Sequence, residues 1–325
     1  MAENRLITGK DAIREALIEE MRRDPSVFLL GEDLEQATFG VTDGIIDEFG
    51  PERVRNTPIS ENAIIGAAIG AALTGMRPVA EIMFADFLMD AMDPIVNTMA
   101  KIRFMTGGQA KVPMVIRTPS GAGLSAGAQH SQSPEAIFLH IPGIRIAVPS
   151  TPYDMKGLLK TAIRSDDPVL FFEHKMLYYE GGEVPDGDYT IPFGKADIKR
   201  KGKDVTIVAV LAMVKKALMA ADMLAAEGID VEVVDPMTLN PLDMDTIINS
   251  VKKTKRLITV EEGAKTGGIG AEISARVAEE ALDYLDAPIK RLGGVDCPIP
   301  FSPVLEEQMY PTEDGIVTAV KQMLG

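Results

Sequence analysis

Cysteine, histidine and long apolar runs are all scarce in this 325-residue chain, and each shortage excludes something. A single cysteine, Cys297, permits no intrachain disulfide and no cysteine cluster for zinc. That usage suits a reducing compartment, so a cytoplasmic protein is expected. Positive charge is in deficit: the formal net charge is −15, which speaks against nucleic acid as a partner. The longest apolar run, residues 63–76, falls short of the ~20 residues of a membrane span, so no membrane partner is expected. The N-terminal stretch MAENRLITGKDAIREALIEE is charged throughout and does not read as a signal peptide. Only three histidines, His130, His140 and His174, offer an imidazole. There is no Walker lysine motif, no defensible Ser-His-Asp signature, no internal repeat and no low-complexity tract.

What is present describes a packed α/β protein. Apolar residues make up 46% and charged residues 25%, and the length suits two domains. In TGKDAIREALIEEMRRD, the residues Ile13, Leu17 and Met21 mark one face of a helix. Short apolar runs follow, VFLLGED, RPVAEIM, VPMVIRT, IRIAVPS and PVLFFEH, separated by helical segments. One of those segments, FLMDAMDPIVNTMAKIRFM, should be kinked or interrupted at Pro94. Near-continuous Val/Ile/Leu strands between helices predict a parallel sheet covered on both faces. A Gly-, Pro- and charge-rich stretch from Gly181 to Asp204 breaks the pattern and reads as a linker. The alternation then restarts as a second, smaller α/β domain. Its helix in PLDMDTIINSVKKT should carry Pro241 in its first turn. The expected division is 1–186, a linker at 187–203, and 204–325.

Glu61 stands at the head of a helix expected over 61–74, with Gly66, Ala67, Gly70, Ala71 and Gly75 following. Gly costs about 0.8–1.0 kcal/mol against Ala in a helix interior, so a close approach to another backbone is the expected compensation. Two roles for Glu61 stay open on the residues alone. A first-turn glutamate, beside a plausible N-cap at Ser60, interacts favourably with the helix dipole. Alternatively, the small-residue helix leaves room for a planar ligand, and a carboxyl in a semi-apolar pocket serves proton exchange. His130, in the loop GAGLSAGAQHSQS, is either a loop histidine or a proton-transfer group. His140 and His174 read as packed or capping. Phe84, Asp86, Phe87 and Asp90 fall in the turn after a strand, where open parallel sheets bind ligands, although core packing explains the two rings equally well. Two Gly-rich pieces, GAGLSAG and GGIGAE, are incomplete as nucleotide fingerprints.

Taken together, TPISE, GAAIGAALTGMRPVAEIMFADF, AQHSQS, PGIRIAVPSTPYDMKGLLKTAIRSDDPVLFFEHK and PLDMDTIINSVKKTKRLITVEEG resemble one family along almost the whole chain. It is the family of beta subunits of the thiamine-diphosphate-dependent first component of 2-oxo acid dehydrogenase complexes. AKVPMVIRT, FFEHKMLY, DAPIKRLGG and PIPFSPVLEE look most like its pyruvate and acetoin types. The resemblance implies two doubly wound α/β domains: a transketolase-like pyrimidine-binding domain, then a transketolase C-terminal-type domain that builds a β–β dimer contact. It implies that Glu61 hydrogen-bonds the aminopyrimidine and favours its imino tautomer, which takes the proton from the thiazolium carbon. It implies that Phe87 packs on the pyrimidine, that Asp90 lies near the ring, and that His130 assists proton transfer and passage of the acyl group to a lipoyl arm. The backbone around Met114, Ala162, Ile163, Ser165 and Asp167 matches a potassium site of some relatives, with Ser165 replacing their Asp or Asn.

The family's diphosphate-anchoring GDG motif is missing; PDGDY lies in the linker instead. The resemblance therefore implies that magnesium and the diphosphate are held by an alpha subunit, in an α2β2 heterotetramer served by a lipoyl acyltransferase core. The implied activity is oxidoreduction with a lipoyl disulfide as acceptor, through a two-carbon thiamine adduct. Two alternatives remain beside it: a branched-chain 2-oxo acid dehydrogenase beta subunit, or a nucleotide- or coenzyme-binding module without thiamine.

Overall fold

The computed structural model describes residues 4–325. By its internal contacts the chain forms two compact units: the chain up to Ser120 together with Ile137–Phe193, and Gly121–Ala136 together with Gly194–Gly325. The first unit contains β1 (Asn4–Thr8), α1 (Gly9–Arg23), β2 (Val27–Gly31), α2 (Ile45–Phe49), β3 (Val54–Asn56), α3 (Glu61–Leu73), β4 (Arg77–Glu81), α4 (Ile102–Met105) and β5 (Val115–Ser120). After the short α5 (Glu135–Leu139) come β6 (Arg145–Ala147), α6 (Pro152–Arg164), β7 (Val169–His174) and β8 (Gly181–Pro185). Strands β6-β7-β5-β4-β2-β3 lie side by side in that order, every pair parallel. Every residue of β2, β5 and β7 is buried; β2 is apolar up to its closing glycine, while β5 and β7 begin apolar and carry buried polar residues such as Arg117 and Glu173 toward their ends.

Helix α1 buries Ile13, Leu17 and Met21, the stripe its spacing predicts. It lies against α6, where the buried Lys156 ammonium pairs with Glu19 at 2.7 Å and Glu15 at 3.1 Å. Arg164 adds a contact to the buried Glu20 at 2.6 Å. The segment around Pro94 is more broken than one kinked helix. It makes a 3-10 turn (Ala85–Met89), a wide π-helical turn begun by Pro94 (Pro94–Met99), and then α4. Proline brings no N–H, so it opens a helical turn without loss but cannot continue the preceding one.

The second unit contains β9 (Asp197–Arg200), β10 (Val205–Ala209), α7 (Ala212–Ala225), β11 (Val231–Asp235), β12 (Thr238–Asn240), α8 (Met244–Thr254), β13 (Leu257–Ala264), α9 (Ile269–Ala281), β14 (Lys290–Gly294), α10 (Pro303–Glu306) and α11 (Glu313–Leu324). The sheet order is β14-β13-β10-β11-β9, parallel except for β9 at the edge. Val205, Ile207, Val231, Val233 and Ile258 form its core with α7 and α11.

Two local expectations need correction. The stretch expected as linker contains β8, paired antiparallel with β1, and β9, paired antiparallel with β11. Charged residues hid β9; its backbone covers the open edge of β11 while Lys199 pairs with Asp197 at 2.9 Å. Pro241 precedes α8 rather than sitting in its first turn. The N-cap is Asp243, whose carboxylate accepts from Thr246 N at 3.1 Å. Among the described residues, no helix is long and apolar enough to cross a membrane.

Candidate active site

Two buried polar atoms without partners lie at the carboxyl edge of the first sheet. There β2 and β3 end side by side, Gly31 opposite Asn56. The next residues are Glu32 and Thr57, and Glu32 Oε1 and Thr57 Oγ1 are both buried without a hydrogen-bond partner. Such orphaned atoms cost free energy unless something else satisfies them. Glu61 opens α3 and is 8% exposed. Ser60 stands at the N-cap, but its side chain makes no capping bond, so helix capping by Ser60 is not realised. Burial raises the Glu32 carboxyl pKa, and the nearby Glu61 and Asp33 charges raise it further. Two carboxyls close enough to repel, one with an orphaned oxygen, make a receptor for hydrogen-bond donors. That fits an aminopyrimidine. Sequence reasoning singled out Glu61 and missed Glu32. The available signal was the acidic pair directly after the buried strand VFLLG.

Helix α3 buries Ile64, Ile65, Ala68, Ile69 and Ala72. Its opposite face, with Gly66, Ala67 and Gly70, is exposed. A Cβ added at Gly66 or Gly70 would meet nothing within 4 Å. The close backbone approach expected of this stripe is therefore not made within this chain.

The turn after β4 carries Phe84 and Phe87, edge-to-face with centroids 5.7 Å apart. Phe39 meets Phe84 in the same way at 5.6 Å, and Lys175 Nζ lies 5.2 Å from the Phe84 ring centre. Phe87 is half-buried, whereas Asp90 is exposed. A buried ion network spans β4, β5 and β7. Arg117 forks onto Glu173 at 2.7 and 2.8 Å, reaches Glu81 at 2.7 Å, and Tyr178 donates to Glu173 at 2.6 Å. Burial, reinforced by the Glu173 charge, holds the Tyr178 hydroxyl pKa well above its usual value. A bidentate arginine pair of this kind fixes geometry, and here it ties β4 to its neighbours just before the Phe84 turn.

His130 lies in the segment Gly121–Ala136, which groups by its contacts with the second unit. Its segment turns through left-handed residues at Gly121, Gly123, Ser125 and Gly127. The Ala122 amide donates to the Glu262 carboxylate, and the Gly123 and Ser125 amides donate to Glu306, both at 2.9 Å. His130 is half-buried, its own amide donating to Gly127 O at 3.3 Å. The amides of GAGLSAG are thus engaged by the chain's own carboxylates and cradle no phosphate. GGIGAE repeats the theme: the Ile269 and Gly270 amides opening α9 both donate to the buried Glu261 at 2.8 Å. A helix N-terminus suited to an anion already holds one. His140 is exposed, and the buried His174 accepts from Met176 N at 3.2 Å through Nδ1. Neither joins a site.

The linker acids do not form a metal site. Asp188 of PDGDY pairs with Lys160 at 2.5 Å and Arg164 at 2.7 Å, which lowers its pKa to about 2. Among the described residues, no cluster of three or more His, Cys, Asp or Glu suits a metal. The turn matched to potassium is already compensated. Arg77 Nη1 donates to Ile163 O at 3.0 Å and Ser165 O at 2.8 Å, and the Asp167 carboxylate pairs with Arg103 and Arg145. Met114 O accepts from Val169 N at 3.0 Å, and Ala162 O from Ser165 N at 3.1 Å. The backbone carbonyls of Met114, Ala162, Ile163 and Ser165 thus each already accept a hydrogen bond from within the chain.

Known proteins place this architecture in one family. The transketolase pyrimidine-binding domain matches residues 6–180 and the transketolase C-terminal domain residues 194–316. The chain belongs to the transketolase-like, thiamine-diphosphate-dependent family built from these two domains. Within it, the chain belongs with the dehydrogenase beta subunits. It is 50% identical to the beta subunit of acetoin:2,6-dichlorophenolindophenol oxidoreductase of Bacillus subtilis, over 99% of this chain and 98% of the relative. It is 48% identical to the beta subunit of the pyruvate dehydrogenase E1 component of Rickettsia felis, over 98% of both chains. It is 47% identical to the 2-oxoisovalerate dehydrogenase beta subunit of B. subtilis, over 96% of this chain and 97% of the relative. Among solved structures, a split-gene transketolase, described as an inactive beta4 tetramer, superposes with a TM-score of 0.81 at 29% identity, over 98% of both chains.

Proposed function

We propose that this chain supplies the pyrimidine half of a thiamine diphosphate site in a pyruvate- or acetoin-type dehydrogenase. An alpha subunit completes the site in an α2β2 assembly, holding the diphosphate and its magnesium, and a lipoyl acyltransferase core receives the acyl group. The observation that carries this reading is Glu61, buried at the sheet's carboxyl edge beside the orphaned Glu32 oxygen. When bound, the cofactor supplies a carbanion-type nucleophile, the hard part of the chemistry. The chain's own residues orient it and manage protons. Glu61 holds a proton at the pyrimidine ring nitrogen. Glu32, with its orphaned oxygen, accepts a hydrogen bond from the same edge. Phe87 presents a half-buried ring to the pyrimidine face, and Asp90 lies further along the same turn. His130 donates or accepts a proton as the acyl group passes to the lipoyl arm.

Asp188, the acid of the displaced GDG-like stretch, is committed to Lys160 and Arg164, which supports assigning the metal to the partner. The inactive state named for the split-gene transketolase beta tetramer supports the need for a second chain. The acetoin and pyruvate relatives both work on substrates that yield a two-carbon acyl unit, and their identities, 50% and 48%, do not separate them. The test is co-expression with a GDG-bearing alpha chain and a thiamine-dependent assay on acetoin, pyruvate and branched-chain 2-oxo acids. Turnover of acetoin or pyruvate supports the reading. Turnover of branched-chain substrates alone, or of none, overturns it.

A further inference from the structure

The segment carrying His130 has a conformation that its own sequence does not favour. Gly121, Gly123 and Gly127 adopt left-handed backbone at no steric cost, but Ser125 also stands at φ +52°. A non-glycine residue there costs roughly 1–2 kcal/mol and persists only where its surroundings over-determine it. The surrounding group is Glu306, at the end of α10 and 2% exposed. Its two oxygens accept from Gly123 N at 2.9 Å, Ser125 N at 2.9 Å and Ser125 Oγ at 3.2 Å. Charge-assisted bonds of this kind are about twice as strong as neutral ones. On the far side of Ser125, the Phe301 ring lies flush on Gly127: a Cβ there would sit 2.5 Å from Phe301 Cδ2. Glu306 therefore holds the loop at its strained residue, the exposed Phe301 ring lies on Gly127 beyond it, and this part ends three residues before His130.

We propose that Glu306 is a positioning residue: by holding Gly123 and Ser125 it sets the place from which His130 acts in acyl transfer. The proposal rests on the reading of His130 given above. It assigns the C-terminal unit a part in the reaction beyond assembly, through a carboxylate that acts by way of the His130 loop.

The test uses the α2β2 assembly with Glu306→Ala and Glu306→Gln, each checked for an unchanged unfolding profile. A misplacement of about 1 Å costs on the order of 10²-fold, so acylation of a free lipoyl domain should fall roughly 10- to 100-fold in kcat with Glu306→Ala. The KM for the lipoyl domain should hold, and Glu306→Gln should recover part of the rate. In a His130→Ala background, Glu306→Ala should add no further loss. Hydrogen exchange should show the Gly123 and Ser125 amides losing protection in Glu306→Ala. Unchanged protection overturns the clamp whatever His130 does. An undiminished further loss in the His130→Ala background overturns the link to His130. If His130→Ala alone is silent, the reading of His130 fails and the positioning role falls with it, while the exchange result still decides the clamp. Should Glu306→Ala not fold, Glu306→Gln carries the same comparisons.

Discussion

At the scale of single residues, the two carboxyls at the sheet edge make separable predictions. Glu61→Gln keeps the shape of a first-turn residue, so the fold and the unfolding temperature should hold. In the α2β2 assembly it should abolish exchange of the thiazolium proton, read by NMR. Exchange at the wild-type rate would reduce Glu61 to a helix-start residue. Glu32 has a pKa raised by burial and by Glu61. An acid whose folded pKa lies above its unfolded value binds more protons folded than unfolded between those values, so stability falls as pH rises through that window. Glu32→Gln should therefore unfold at a higher temperature than wild type at neutral pH. The gap should narrow as pH falls through the raised pKa and be smallest below the ordinary carboxylate range. A gap independent of pH would show that the Glu32 charge carries no such cost.

At the scale of elements, α3 and the His130 loop behave differently. The exposed face of α3 has room at Gly66 and Gly70. Each Gly→Ala change there should stabilise the isolated chain by about 0.8–1.0 kcal/mol, measured by urea unfolding. If the same face packs against the partner subunit, both changes should weaken assembly in sedimentation, a reversal of sign that no intrachain contact would produce. In the loop, His130→Ala should depress lipoyl acylation by ~10²–10⁴-fold, far more than decarboxylation followed with an artificial electron acceptor. Equal losses in both assays would move His130 to an earlier step.

At the scale of the whole molecule, the proposed function makes the chain a half-site. Isolated, it should bind thiamine diphosphate weakly or not at all in calorimetry with magnesium present, because its acids near PDGDY are engaged in ion pairs. Micromolar binding would show that the division between subunits is misplaced. Adding the alpha subunit should restore binding and activity together.

Period and composition were enough to read the layers of both units from the sequence. Buried parallel strands need apolar residues at every position and helices need one stripe, so the alternation was visible without coordinates. Glu61 and His130 stood out because a lone carboxylate before a small-residue helix, and a lone imidazole in a small-residue loop, have few neighbours to explain them. Tertiary structure decided what depends on distant partners. The charged strand β9 forms because β11 offers an open edge, which no local pattern announces. Glu32 comes to the same sheet edge as Thr57 because β2 and β3 end together. The nucleotide-like loops turn out to be occupied because Glu261, Glu262 and Glu306 fold back onto their amides. The bonds from Glu262 and Glu306 span more than a hundred positions and those from Glu261 only eight or nine, but none leaves a periodicity in the chain, so only the folded structure could show which anion those amides hold.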